Sequence, residues 1–249
     1  MLNDEELMRY SRHIFLPQLG IDGQLALKKA TVLIVGLGGL GNPVSLYLQA
    51  AGVGHLILAD GDQVELSNLQ RQIAFSDADI GSDKAVALKK RLQALNPHTK
   101  LTTINHYMTQ VEFEKLLPTV DIVVDATDNI DTRYIIHQAC LTHKKPLVFG
   151  AAIGHEGHYI VFDFRCDEQP CYYCLYPELN RDGESGTCSE NGVFSPVLGV
   201  IGSLQASGVI QLITRQVIKT GVLTTVDLAT GQFKNLGFIK QADCRICGH

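Results

Sequence analysis

Three groups of residues in this 249-residue sequence have types and spacings that chemistry uses. The first is Gly36-Leu37-Gly38-Gly39-Leu40-Gly41, in which Gly36, Gly38 and Gly41 fit G-x-G-x-x-G. It follows the apolar run Thr31–Val35 and opens a helix-like segment that continues to about Ala51. In that setting the first glycine permits a tight turn and the second lets backbone approach a phosphate. The start of the helix then favours an anion. Asp60 ends the next apolar run, His55–Ala59, where a carboxylate accepts hydrogen bonds from ribose hydroxyls. Taken alone, these two features suit NAD or FAD.

The second group changes that reading. After Asp60 comes Gly61-Asp62-Gln63-Val64-Glu65-Leu66-Ser67-Asn68-Leu69-Gln70-Arg71. Asp62 and the run Ser67, Asn68, Leu69, Gln70 and Arg71 are expected at the nucleotide. Asn68 and Arg71 can reach a triphosphate, with Arg71 neutralising charge on a leaving pyrophosphate. Lys84 opens the next helical pattern as a second cation. Asp128 and Asn129 follow a fourth apolar run on the same sheet edge, and a carboxylate there suits Mg²⁺. Each has a plainer reading: Arg71 as a surface cation, Asp128 as a helix N-cap. Their convergence on one edge favours ATP.

The third group is Cys171-x-x-Cys174 and Cys244-x-x-Cys247. Four thiolates suit a closed tetrahedral Zn²⁺ site that pins the C-terminal tail to the middle of the chain. Two redox pairs or disulfides are the alternatives. Cys188 stands apart in a polar, glycine-containing stretch, Glu178–Asn191, expected to be a mobile loop. Cys140 reads as a core residue and Cys166 has no evident partner. The nine histidines form no triad, and none is expected to be catalytic.

These residues need a frame. Residues 4–16 pattern as an amphipathic helix anchored by Leu7, Met8 and Ile14. Strands are expected at 31–35, 55–59, 101–104, 121–124, 146–149 and 159–164, and helices at 84–95 and 132–142. Alternation of this kind gives a Rossmann-like α/β fold, a mostly parallel sheet with helices on both faces. A C-terminal β segment follows, with paired strands at 222–228 and 232–238. Before that segment, Val193–Thr214 carries no charged residue and is long enough to span a bilayer. Its Ser195, Pro196, Ser203, Gln205, Ser207 and Gln211 favour a buried core or interface helix.

Composition bounds the rest. The chain is 45% hydrophobic and 19% charged, as in globular proteins, and its net charge of −5 gives no long-range attraction for nucleic acid or anionic lipid. The N-terminus shows no signal peptide, and seven cysteines with two tight pairs suit a reducing cytoplasm.

The glycine loop, Leu66–Gln72, Thr127-Asp128-Asn129, Arg9-Tyr10-Ser11-Arg12 and the two Cys pairs together resemble the bacterial MoeB/ThiF enzymes, adenylating relatives of ubiquitin-activating enzymes. The resemblance covers nearly the whole chain and implies a single adenylation domain. Its parts would be an N-terminal helical arm (1–28), a nucleotide-binding core (29–165) and a zinc-pinned C-terminal region with a crossover loop (166–249). It implies ATP–Mg²⁺ binding by Gly39, Asp60, Asn68, Arg71, Lys84 and Asp128. It also implies a homodimer in which Arg12 reaches the partner subunit's ATP site. The substrate would be the C-terminal carboxylate of a ubiquitin-like sulfur carrier ending in Gly-Gly. The small subunit of molybdopterin synthase and the thiazole-synthesis carrier both qualify, and Arg9–Arg12, Ala59-Asp60 and Leu175–Pro177 lean toward the thiazole-type members. Cys188 matches a loop cysteine that some members link covalently to the carrier. The competing readings are an NAD/FAD oxidoreductase and a non-catalytic zinc-pinned module that docks a ubiquitin-like protein.

Overall fold

The computed structural model describes residues 1–176 and 192–248. Cys188 and the stretch Glu178–Asn191, apart from its place in the sequence, lie outside the described residues. Eight strands form one sheet: β1 (Thr31–Val35), β2 (His55–Ala59), β3 (Lys100–Ile104), β4 (Ile122–Asp125), β5 (Leu147–Ile153), β6 (Glu156–Phe162), β7 (Val222–Asp227) and β8 (Gln232–Gly237). Their order is β3-β2-β1-β4-β5-β6-β7-β8. The run from β3 to β5 is parallel, and β5 to β8 pair antiparallel.

The short, near-continuous apolar strands are buried on both faces, as a covered parallel sheet requires. Side chains alternate between two cores. Val32, Ile34, Leu56, Leu58 and Val124 face one side, with Leu27, Val44, Leu48, Leu88 and Val209. These come from helices α3 (Gly20–Lys29), α4 (Gly41–Ala51), α5 (Lys84–Leu95) and α9 (Ser195–Ile213). Leu33, Val35, Ile57, Val123 and Phe149 face the other side, against Phe113, Ile136, Ala139 and Cys140. Those belong to α6 (Gln110–Leu116) and α7 (Ile130–Thr142). The same core takes in Cys171, Tyr172 and Cys174, around the short α8 (Tyr172–Leu175).

The N-terminal arm departs from expectation. It is two helices, α1 (Asp4–Arg9) and α2 (Ser11–Ile14), broken at Tyr10. The inward anchors are Tyr10 and Glu6. Tyr10 accepts a hydrogen bond from Asn96 Nδ2 at 2.9 Å, and Glu6 pairs with Lys28 at 2.7 Å. Leu7 and Met8 are 38% and 80% exposed, so they are not anchors. Helix α6 was not anticipated, and α3 was given no limits of its own within the arm expected to be helical.

Helix α9 is long and apolar enough to cross a membrane, but half of its most apolar window is buried in the protein. Its polar residues have local work. Gln205, fully buried, donates to the carbonyls of Asp125 at 2.8 Å and Val148 at 3.3 Å. That satisfies strand-end groups that water cannot reach.

Candidate functional site

Register sets the site. Val35 is level with Ala59 of β2 and Asp125 of β4, so Gly36, Asp60 and Ala126 leave the sheet side by side. Pairing continues one step further, with Gly36 N to Ala59 O and Ala126 N to Val35 O, both at 2.9 Å. The chain runs from β1 to β2 and β3 on one side, then returns to β4 on the other. Such a reversal opens a crevice at the C-terminal edge. A cavity of about 550 Å³ occupies it.

The glycine loop forms the floor. Gly36 has φ +84°, and a Cβ there would sit 2.7 Å from Ala126 O. At Gly41 a Cβ would sit 2.0 Å from Gly36 O, so this glycine serves the turn itself and does not line the cavity. Asn42 staples the loop: its Nδ2 donates to Leu37 O and its Oδ1 accepts from Ala74 N, both at 2.7 Å. No side chain caps the start of α4 among the described residues. Asn42 N already donates to Gly38 O at 3.0 Å and Pro43 has no N–H, so an anion in the cavity would meet the helix dipole and the backbone of Gly38, Gly39 and Leu40, which line it.

Asp60 holds the loop from the β2 side. Its two oxygens accept from Leu37 N at 2.7 Å and Asp62 N at 2.8 Å. Burial pushes its carboxyl up, against the pull of Lys84 and these two bonds. Asp62 pairs with Lys84 at 2.7 Å and accepts from the Tyr107 hydroxyl. Burial alone would raise the Asp62 carboxyl, but those two partners outweigh it and leave it lowered. The bond to Asp62, then burial, lifts the Tyr107 phenol to about 12.

Ser67 and Asn68, on a 3₁₀ turn (Leu66–Asn68), and Arg71, three residues beyond it, also line the cavity. Asn68 Oδ1 accepts from Glu65 N at 3.2 Å, and Arg71 Nη1 donates to Ser67 O at 2.9 Å, which leaves other guanidinium N–H groups for a ligand. Leu69 packs into the core and Gln70 is exposed; neither lines the cavity. Asp128 lines it and makes no hydrogen bond or ion pair among the described residues, so its carboxylate is available to a cation. Asn129 lines it too, while its Oδ1 caps α7 through Thr132 N at 3.0 Å. Gly36, Gly38, Gly39, Asp60, Asp62 and Lys84 complete the expected set at the cavity. Arg12 sits exposed on α2, away from it.

Several lining residues were not foreseen. Val35, Ala59, Met108 and Phe113 give one end an apolar wall that suits a base. Gln72 is 3% exposed with an unpartnered Oε1. Arg133 donates to Thr127 O at 2.7 Å and lies over the Phe149 ring at 5.2 Å. Position five after Asp128 on α7 was the available signal for Arg133.

Against the second core, the sulfurs of Cys171, Cys174, Cys244 and Cys247 lie within 4.8 Å of one another. Three separations are 3.6, 3.9 and 3.4 Å. A tetrahedron with Zn–S of about 2.3 Å has edges of about 3.8 Å, and a disulfide needs about 2.05 Å. The cluster can hold a metal and contains no disulfide. Cys140 is buried in the core and Cys166 is exposed.

A switch-point crevice with a glycine loop at a helix start, two cations and a free carboxylate defines a nucleotide-binding α/β protein. The chain belongs to the ThiF family, whose pattern matches residues 10–246. It is 43% identical to the molybdopterin-synthase adenylyltransferase of Escherichia coli, over 99% of this chain and 98% of the relative. Identity to the sulfur carrier protein ThiS adenylyltransferase of the same organism is 42%, over 99% and 97%. Identity to the adenylyltransferase and sulfurtransferase MOCS3 of Culex quinquefasciatus is also 42%, but the chain spans only 56% of that relative. A solved structure of Escherichia coli MccB with ATP superposes with a TM-score of 0.81 at 25% identity, covering 99% of this chain and 75% of that one.

Proposed function

We propose that this chain is an adenylyltransferase that uses ATP to activate the C-terminal carboxylate of a ubiquitin-like sulfur-carrier protein, in molybdenum cofactor or thiamine biosynthesis. One observation carries the reading. The cavity places Arg71, Lys84 and Asp128, which has no partner among the described residues, around the glycine loop, and near-full-length relatives are named adenylyltransferases.

The apolar end receives the adenine and Asp60 the ribose. The α4 N-terminus, Gly38 and Gly39 receive phosphates. A carboxylate oxygen of the carrier bonds to the α-phosphorus, and the bond to the β-phosphate oxygen breaks. Its electron pair leaves with pyrophosphate, and acyl-adenylate remains. Arg71 and Lys84 offset charge on the leaving group, a contribution of several kcal/mol in such sites. Asp128 would hold Mg²⁺, which supplies charge neutralisation at the phosphates, with Asn129 beside it at the nucleotide. The four cysteines would hold structural Zn²⁺, a role apart from the reaction. A Gly-Gly tail is slim enough for a narrow approach to the phosphate. The enzyme works as a cytoplasmic homodimer with Arg12 completing the partner's site, and Cys188 is a candidate thioester nucleophile. The near-equal identities, 43% and 42%, support both carriers equally.

The test is ATP–pyrophosphate exchange with each purified carrier. Exchange with one of them, abolished when its last glycine is removed, is the expected result. NAD(P)H binding without ATP binding would reverse the reading to an oxidoreductase. ATP and carrier binding without exchange would leave a non-catalytic docking module.

A further inference from the structure

Lys84 is the first residue of α5, where the helix dipole disfavours a cation. The first turn of α5 contains no acidic residue. Its side chain is only 8% exposed, so the ammonium also loses most of its water. Burial of such a group is costly without an anion. The anion is Asp62, which holds the lysine twice. Its Oδ2 lies 2.7 Å from Lys84 Nζ, and its main-chain oxygen accepts from Lys84 N at 3.0 Å. The other carboxylate oxygen, Oδ1, accepts from Tyr107, whose ring lies against Gly61 so closely that a Cβ there would be 2.8 Å from it. Asp62 N in turn donates to Asp60, which accepts from Leu37 of the phosphate loop. Both Asp62 oxygens therefore serve protein partners.

We infer that Asp62 is a positioning residue: it aims the Lys84 ammonium into the cavity, Tyr107 locks it in place, and it makes no contact of its own with the nucleotide or its metal. An ammonium has three N–H groups; one is spent on Asp62 and the others are left for phosphate oxygens. The carboxylate thus fixes the direction from which charge on the leaving group is met. This inference rests on the adenylation reading.

A double-mutant cycle on the full chain tests it by pyrophosphate exchange. Asp62→Asn should lower kcat about 10- to 100-fold, as misplacement of a reacting-site group does, with KM for ATP changed less than about threefold. In the Lys84→Ala background the same change should cost less than about twofold, because the group it positions is gone. Tyr107→Phe should cost about threefold and should also be silent beside Lys84→Ala. That exposed ring carries the cycle if Asp62→Asn fails to fold. Losses that multiply, or a tenfold rise in KM for ATP with kcat intact, would make Asp62 a direct ligand and overturn the inference. A wild-type chain that binds ATP without exchange sinks the adenylation reading alone. In that case Asp62→Asn and Tyr107→Phe should still leave calorimetric ATP affinity within about threefold, and a tenfold loss would overturn the inference.

Discussion

Asp128 and Asp62 are both carboxylates on the cavity wall, and their surroundings give them different work. Asp62 is spent on Lys84 and Tyr107, whereas Asp128 has no protein partner among the described residues. A group that stabilises nothing in the fold can be removed cheaply. Asp128→Ala should therefore leave the melting temperature within a few degrees, since surface changes of this kind stay within about 0.5 kcal/mol. Exchange should fall at least about 100-fold, the scale of losing one electrostatic contributor at such a site. Near wild-type exchange by a folded Asp128→Ala protein would remove its metal role. At this scale the sequence was informative wherever a residue sits at a fixed offset from a strand end. Gly36, Asp60 and Asp128 all follow strands by one to three residues. Tyr107 reaches Asp62 across 45 residues of chain, and no local pattern encodes that distance.

Among the elements, strands β1 and β2 match their expected limits at both ends because their apolar runs are bounded and buried on both faces. Helix α3 was not delimited because it opens on Gly20 and carries Gly23, both poor helix formers. Helix α6 has only seven residues, although its capping box, Thr109 with Glu112, was legible. The arm failed for another reason: Leu7 and Met8 match a helical period, yet a half-buried ion pair and Tyr10 do the anchoring. Helix α7 also carries a feature no periodicity reveals. His137 is fully buried among Phe162, Phe164, Tyr172 and Tyr173, with neither ring nitrogen hydrogen-bonded. Burial drives its pKa down to about 3. The unfolded chain takes up a proton near pH 6.5 and the folded one does not, so this residue's stabilisation is complete above pH 6.5 and is lost as pH falls toward 3. Between pH 7 and pH 5 the loss should be about 2 kcal/mol. His137→Phe, which keeps an aromatic ring in the cluster, should remove that increment. Urea midpoints of both proteins at the two pH values measure it, and equal slopes would show that His137 is not the titrating group.

At the scale of the molecule, the Cys cluster ties residues 171–174 to 244–247 across the second core. The tail reaches its place through few other bonds: Gln241 N to Cys174 Sγ at 3.4 Å, Lys240 to Asp167 O at 3.1 Å, and Arg245 over the Tyr173 ring at 5.2 Å. Those contacts are exposed or half-exposed and individually weak. The sequence showed the four cysteines, but not that Cys171, Tyr172 and Cys174 are themselves core residues. Loosening the cluster therefore disturbs packing as well as the tail. Burial pushes the Cys171 thiol up, so without a cation this sulfur stays protonated, whereas a divalent ion would draw the four sulfurs together as thiolates. A cross-link closing a loop of about 70 residues stabilises by about 4 kcal/mol on the chain-entropy account. For a chain of this size that is about 8–16 °C in melting temperature. Protein purified without added zinc should contain one metal per chain, and a strong chelator or Cys247→Ser should lower the melt by that amount. Metal-free wild-type protein that melts at an unchanged temperature would show that the four thiols hold the tail without an ion.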